Sequence, residues 1–155
     1  TLTMVSARSA QLSASMLREQ QAFALANAML DEIVAMPFTP CDPTPSSCAA
    51  PENAVPGPEA GEARNGVNGF DNVNDYNGLN VAVGTLRDVF NNPIAAELPT
   101  VSNCALRVAV VPQALPLVPA TEALRITVTV TCPGQMGPVA AETIRVRYAP
   151  DRWQF

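Results

Sequence analysis

Neither glycine nor proline occurs between Thr1 and Met36, whereas all eight glycines and all fifteen prolines follow. Such a split predicts one long N-terminal helix, ended at Pro37 because proline disfavours helical geometry in the residue before it. A loop-and-strand body follows. A helix of ~30 residues is about 45 Å long, more than one small domain needs to cover its own core. The excess length points to something outside this chain that uses it.

Length and composition narrow the function classes. At 155 residues the chain makes one domain with room for a real core. Three regions divide it: residues 1–36 (helix), 37–100 (extended loop with short strands) and 101–155 (antiparallel sheet). The net charge is −5 and arginine is the only basic side chain, so no basic stretch exists for nucleic acid. Histidine is absent. That removes Ser–His and Cys–His catalysis and the usual general base near neutral pH. No apolar run reaches the length of a membrane span, and no secretory apolar region is present. The helix has no N-cap before its first residues, which leads to the expectation of a longer protein upstream of Thr1.

Within the helix, Leu12, Met16, Phe23, Ala26, Leu30 and Ile33 recur at helical steps. Ala22, Leu25, Met29, Val34 and Met36 widen the stripe toward the C-terminal end, so that half is expected to pack on the body. The first turns (Ser6, Arg8, Ser9, Gln11, Ser13, Ser15) are small and polar, as in a helix that projects from its domain. In the loop region, Leu79–Val83 and Thr85–Phe90 read as short strands, with a turn at Asn91-Asn92-Pro93.

The last third alternates with period two. Leu124, Ile126, Val128 and Val130 interleave with Arg125, Thr127, Thr129 and Thr131, which is a half-buried strand. Leu106, Val108 and Val110 alternate upstream, and Ile144, Val146 and Tyr148 downstream. Short connections make these an antiparallel meander. If Val110 faces Ile126, then Val108 faces Val128, Leu106 faces Val130 and Cys104 faces Cys132, all on one face. Four cysteines allow three pairings; this register selects Cys104–Cys132 and leaves Cys41–Cys48. Reduced thiols and a metal site are the alternatives, and neither pair has the CxxC spacing of a zinc site. Two disulfides place a domain in an oxidising compartment.

This α+β plan, a long N-terminal helix, an extended loop and a three-stranded or slightly larger antiparallel sheet, resembles type IV pilins and pseudopilins. Gln20 to Ala26 (QQAFALA), Leu30 to Ile33 (LDEI) with Pro37-Phe38, Phe70 to Gly78 (FDNVNDYNG), Ala123 to Val130 (ALRITVTV) and Arg147 to Pro150 (RYAP) are similar to MSHA-type minor pilins of the MshD kind. The resemblance implies a basic leader and an apolar segment before Thr1. That segment would anchor the subunit in the inner membrane and later pack in a filament at the cell surface. Other pilin subunits are the implied partners. A type II secretion minor pseudopilin and a secreted, adhesive ligand-binding module are the alternatives, the latter with a surface ligand at the loops. Only Trp153, Phe155 and Tyr76 could offer that ligand an aromatic platform.

Three further readings concern sites. The Asn/Asp run makes Asp71 and Asp75 calcium candidates, since calcium prefers clustered oxygen ligands. Val73 and Tyr76 break the EF-hand pattern, and Asn and Asp also serve as turn residues. Strand parity puts Arg107, Arg125, Arg145 and Arg147 on the Thr-rich face, where they could dock an acidic neighbour. Leu12, Met16 and Phe23, with Arg145 and Arg147, are therefore the expected subunit interface. No catalytic constellation emerges: Ser46 and Ser47 lack a nucleophile elbow, and adjacent Asp31 and Glu32 point in different directions on a helix. The chain is read as non-enzymatic, with no cofactor beyond that calcium candidate.

Overall fold

A computed structural model of the chain describes residues 2–39, 56–94, 101–135 and 137–147, with side chains described from Leu12 onward. The expected Cys41–Cys48 bridge, Ser46, Ser47, Tyr148, Trp153 and Phe155 lie outside the described residues. Helix α1 spans Leu2–Ala35. The Met36 N–H bonds the Ile33 carbonyl, and the Pro37 carbonyl accepts the Val73 N–H at 3.0 Å. The chain is thus pinned to the loop region as soon as the helix stops.

Four strands follow: β1 (Asn80–Val81), β2 (Ala105–Pro112), β3 (Ala123–Thr131) and β4 (Val139–Val146). They form one antiparallel sheet in the order β1-β2-β3-β4. The β2–β3 register is the expected one, with Val110 opposite Ile126, Val108 opposite Val128 and Leu106 opposite Val130. Cys104 and Cys132 form a disulfide one step beyond the ladder.

The inner sheet face is aliphatic and takes the helix. Ala22, Leu25, Ala26, Met29, Leu30 and Ile33 are buried, and α1 lies over β3 and β4. Ala22 and Ala26 have no side chain beyond Cβ, which lets the helix backbone approach the sheet. Phe23 and Val34, expected in the same stripe, are exposed; they sit one row round the helix from Ile33. Phe38, Val73, Tyr76, Leu86 and Val101 complete the core from the loop side.

Two expectations need correction. Only Asn80–Val81 of the Leu79–Val83 stretch is strand, because Gly84, at φ 79°, turns the chain and its N–H bonds the Ser102 carbonyl. Thr85–Phe90 is not a strand; Arg87 makes a single bridge to Pro93. Asp88 Oδ1 accepts the N–H of Phe90 (2.9 Å) and of Asn92 (2.7 Å), which closes a turn where a ladder would run.

The face of β4 also differs. Val128 lies opposite Ala141, Ile126 opposite Thr143 and Leu124 opposite Arg145. Arg145 therefore belongs to the inner-face row, Arg147 continues that parity, and Ile144 and Val146 are exposed on the outer face. The opposite parity would turn Glu142 into the apolar interior, where an unpaired carboxylate is disfavoured. Ala141 is also small enough for α1 to pass over it.

This packing predicts an asymmetry along α1. Ile33→Ala should destabilise the domain by about 2–5 kcal/mol in urea unfolding, and Leu12→Ala by less than ~0.5 kcal/mol. Equal losses at both positions would mean the helix is packed along its whole length.

Candidate functional site

The helix meets the loop at a charged cluster. Glu32, at the edge of the buried stripe in line with Leu25, Met29 and Met36, accepts two bonds from Arg64, one of them from Nε to Oε1 at 2.6 Å. The Tyr76 hydroxyl donates to the same oxygen at 3.0 Å. A terminal nitrogen of Arg64 also reaches the Arg87 carbonyl at 3.1 Å. Both ionic side chains are mostly buried, 8% exposed for Arg64 and 15% for Glu32. Burial alone would lower the Arg64 pKa, but the Glu32 contact reverses the sign and holds it above the ordinary value. The Tyr76 hydroxyl is pushed up by burial first and by the Glu32 charge second. Arg64 and the Tyr76 hydroxyl both donate to Glu32, so the cluster is a fastening between helix and loop.

The Phe70–Gly78 run is built for a turn. Asp75 Oδ2 accepts the N–H of Asp71 (2.9 Å) and of Asn72 (3.0 Å), and Oδ1 accepts the Asn72 amide at 3.2 Å. Asn72 Oδ1 takes the Asn74 N–H at 2.7 Å. Val73 and Tyr76 enter the core, and Phe70 meets Tyr76 edge-on with ring centroids 4.9 Å apart. Tyr76 is therefore buried and does not present an aromatic face to a ligand. Asn77 accepts the Val110 N–H at 2.9 Å and so covers the edge of β2 where β1 has not yet begun.

A second carboxylate group lies beside this turn. Oxygens of Glu59, Glu62 and Asp75 all fall within 4.8 Å of one another, and Asp71 is not among them. Burial raises the Asp75 pKa to about 7; its two backbone donors pull it down, while Glu62 and Glu59 push it up further. Glu62 is raised as well, by desolvation first, its bond from the Glu59 N–H acting the other way. Three carboxylates at this spacing can share a proton, and the same oxygens could hold a divalent cation.

The expected interface residues divide. Leu12, Met16 and Phe23 form an exposed row on α1, at 65%, 63% and 51%. Arg145 and Arg147 are not brought to them. Arg18 approaches Gly134 in the turn before β4, so the projecting half of α1 leaves at that end, while Arg145 and Arg147 close the far end of β4. Arg147 pairs with Glu122 there. The outer face keeps Arg107 and Arg125, with Thr127 donating to Glu142 at 3.0 Å. It also bears a trough of about 480 Å³ lined by Gly78, Asn80, Arg107, Ala109, Thr127 and Thr129, among others.

Sequence reasoning missed Glu32, Arg64, Glu59 and Glu62. Glu32 carried a signal, since a carboxylate aligned with Leu25, Met29 and Met36 is half-buried and needs a cation. Which arginine supplies it depends on a contact 32 residues away, and no local pattern encodes that.

Two outcomes are expected. Glu32→Ala leaves the Arg64 guanidinium buried without its partner and should cost roughly 3 kcal/mol. Replacing both residues by apolar side chains (Glu32→Leu with Arg64→Met) should recover most of that loss in the same unfolding assay. For Asp75, the folded pKa of about 7 lies above the ordinary 3.8. The fold therefore binds the extra proton, and this contribution is full below the ordinary value and lost as pH rises through about 7. Melting temperature should fall between pH 5 and pH 8 in chelator, and Asp75→Asn should flatten the fall. Calcium restoring the pH 8 value would mark the three carboxylates as ligands; no change would leave them as a proton-sharing group.

Comparison with protein-family models, curated proteins and solved structures finds no match for this chain.

Proposed function

We propose that the chain is a non-enzymatic structural subunit of pilin type, a minor pilin that takes part in priming or capping a type IV filament. One observation carries this reading: α1 is 34 residues long, yet its described side chains are buried only from Ala22 onward. The preceding turns extend past the sheet with Leu12, Met16 and Leu17 exposed. A helix that served only its own domain would not expose large apolar side chains along an unpacked half, since burying them is favourable by about 1.5–3 kcal/mol each. A partner that packs against this half resolves the excess. The disulfide suits an oxidising compartment, in keeping with a periplasmic domain that later reaches the cell surface. Among the described residues no helix is long and apolar enough to cross a membrane.

The test is made in the organism that carries the gene, with antibody against the domain. Sheared surface filaments should bear the label. Leu12→Asp with Met16→Asp should abolish incorporation while the purified domain keeps its melting temperature. A domain found free in the periplasm, and unaffected in location by those substitutions, would overturn the filament role. That result would leave a secreted module.

A further inference from the structure

Two surfaces of the molecule lack partners among the described residues, and they fit one another. The first is the exposed row of α1. Leu12, Met16, Glu19 and Phe23 follow at steps of four, three and four, so they lie on one side of the helix. All four are exposed, and the Glu19 side chain makes no ion pair or hydrogen bond among the described residues. The row is therefore apolar with a single carboxylate inside it. It rises over 11 residues, about 16 Å of helix.

The second is the trough on the outer sheet face. Gly78 and Ala109 floor it because neither has a side chain beyond Cβ, and Thr127 continues that floor on β3. From β1 to β3 it spans two strand spacings, about 10 Å, roughly the width of one helix. Arg107 lines it and makes no ion pair among the described residues. Arg125 stands two residues before Thr127 on the same face, flanked by exposed Val111 and Ile144. The trough is thus a largely apolar floor with two guanidinium groups beside it that make no ion pair among the described residues, and with the Glu142 carboxylate, held by the Thr127 hydroxyl, at its β4 edge.

We propose that the projecting row of α1 in one copy lies in the outer-face trough of a second copy, with Glu19 against Arg107. The occupant is another copy of this chain because Glu19 and its apolar row complement the Arg107 side of the trough, away from the Glu142 carboxylate on β4. An apolar row with one carboxylate meets a largely apolar floor with arginines beside it, on a protein whose net charge of −5 otherwise disfavours self-association. A copy cannot fill its own trough, since its α1 packs on the inner face, over β3 and β4. The two surfaces differ, so the contact is heterologous and each added copy leaves one free row and one free trough. Such a contact builds an open chain unless its rotation closes a ring. Three helical turns on a shallow trough bury less than the ~1,000 Å² typical of a stable pair, so the association is weak and adds up along an assembly. The inference goes beyond the filament reading: it names a contact between copies of this chain and does not rest on that reading.

Sedimentation velocity of the 155-residue chain at rising concentration tests this. Mass should grow past the dimer, and more so at low salt. Glu19→Arg and Arg107→Glu should each weaken association about tenfold, and the two together should restore it, as a double-mutant cycle requires. All these positions are exposed, so melting temperatures should stay level and exclude misfolding. Growth that stops at a dimer, a monomer at every concentration, or charge reversals without effect would each overturn the head-to-tail contact. Filament labelling by the antibody would stand in any of those cases, so the two readings fail separately.

Discussion

Everything in the structure is arranged around the contact between the C-terminal half of α1 and the inner face of β3 and β4. Ala22 and Ala26 bring the helix backbone close, and Ile33 fills the space between it and the sheet. Ala141 gives way beneath it, which also decides which way β4 faces. The loop region then covers what α1 leaves open. Val73, Tyr76 and Leu86 complete the inner layer on the loop side of the sheet, over β2. Without the helix, β3 and β4 would expose their aliphatic face.

Fastening the loop is the next requirement, because residues 56–79 hold almost no ladder of their own. Three kinds of bond serve. The Pro37 carbonyl takes the Val73 N–H, the Glu32–Arg64–Tyr76 cluster ties helix to loop, and Asn77 caps the edge of β2. A buried ion pair adds little net stability compared with an apolar replacement, but it specifies which loop segment lies against which turn of the helix. The Asp75 carboxyl serves the same end inside the turn, where it gathers two backbone N–H groups at the price of its own desolvation.

The legible parts of this fold are those in which one residue type repeats with the period of its element. The β2–β3 register followed from aliphatic alternation and was checked by the cysteines, because Cys104 and Cys132 obey the same index sum as Val108 and Val128. The packed half of α1 was legible for the same reason. In β4 the pattern is ambiguous: Val139 and Ala141 lie on one parity, Ala140, Ile144 and Val146 on the other. Only the helix above it and the charge of Glu142 resolve the choice. Phe23 misled similarly, since a row 80° from Ile33 on the helical wheel still fits a loose period. The Glu32–Arg64 and Glu59–Glu62–Asp75 groupings were not legible, because they depend on how a long loop folds back.

The position of the disulfide has a mechanical meaning. It joins β2 and β3 at the end of the sheet beside Arg18 and Gly134, where α1 leaves the body. Any load on the projecting half of the helix acts as a lever about its last packed turns, near Ala22. That load falls first on the β3–β4 turn and on the ends of β2 and β3. Hydrogen bonds at a strand end fray most readily, and a covalent link there resists peeling at the point where the lever bears. Among the described residues, the opposite end of the sheet carries no such tie. There the β2–β3 connection turns through Pro116 and Leu117, with Leu117 at φ 70° and its side chain in solvent. A leucine in left-handed geometry is disfavoured, and here it sits in an exposed turn at the end of the sheet away from the disulfide. The two ends of the sheet thus differ, with a covalent link where α1 projects and a strained, exposed turn at the far tip.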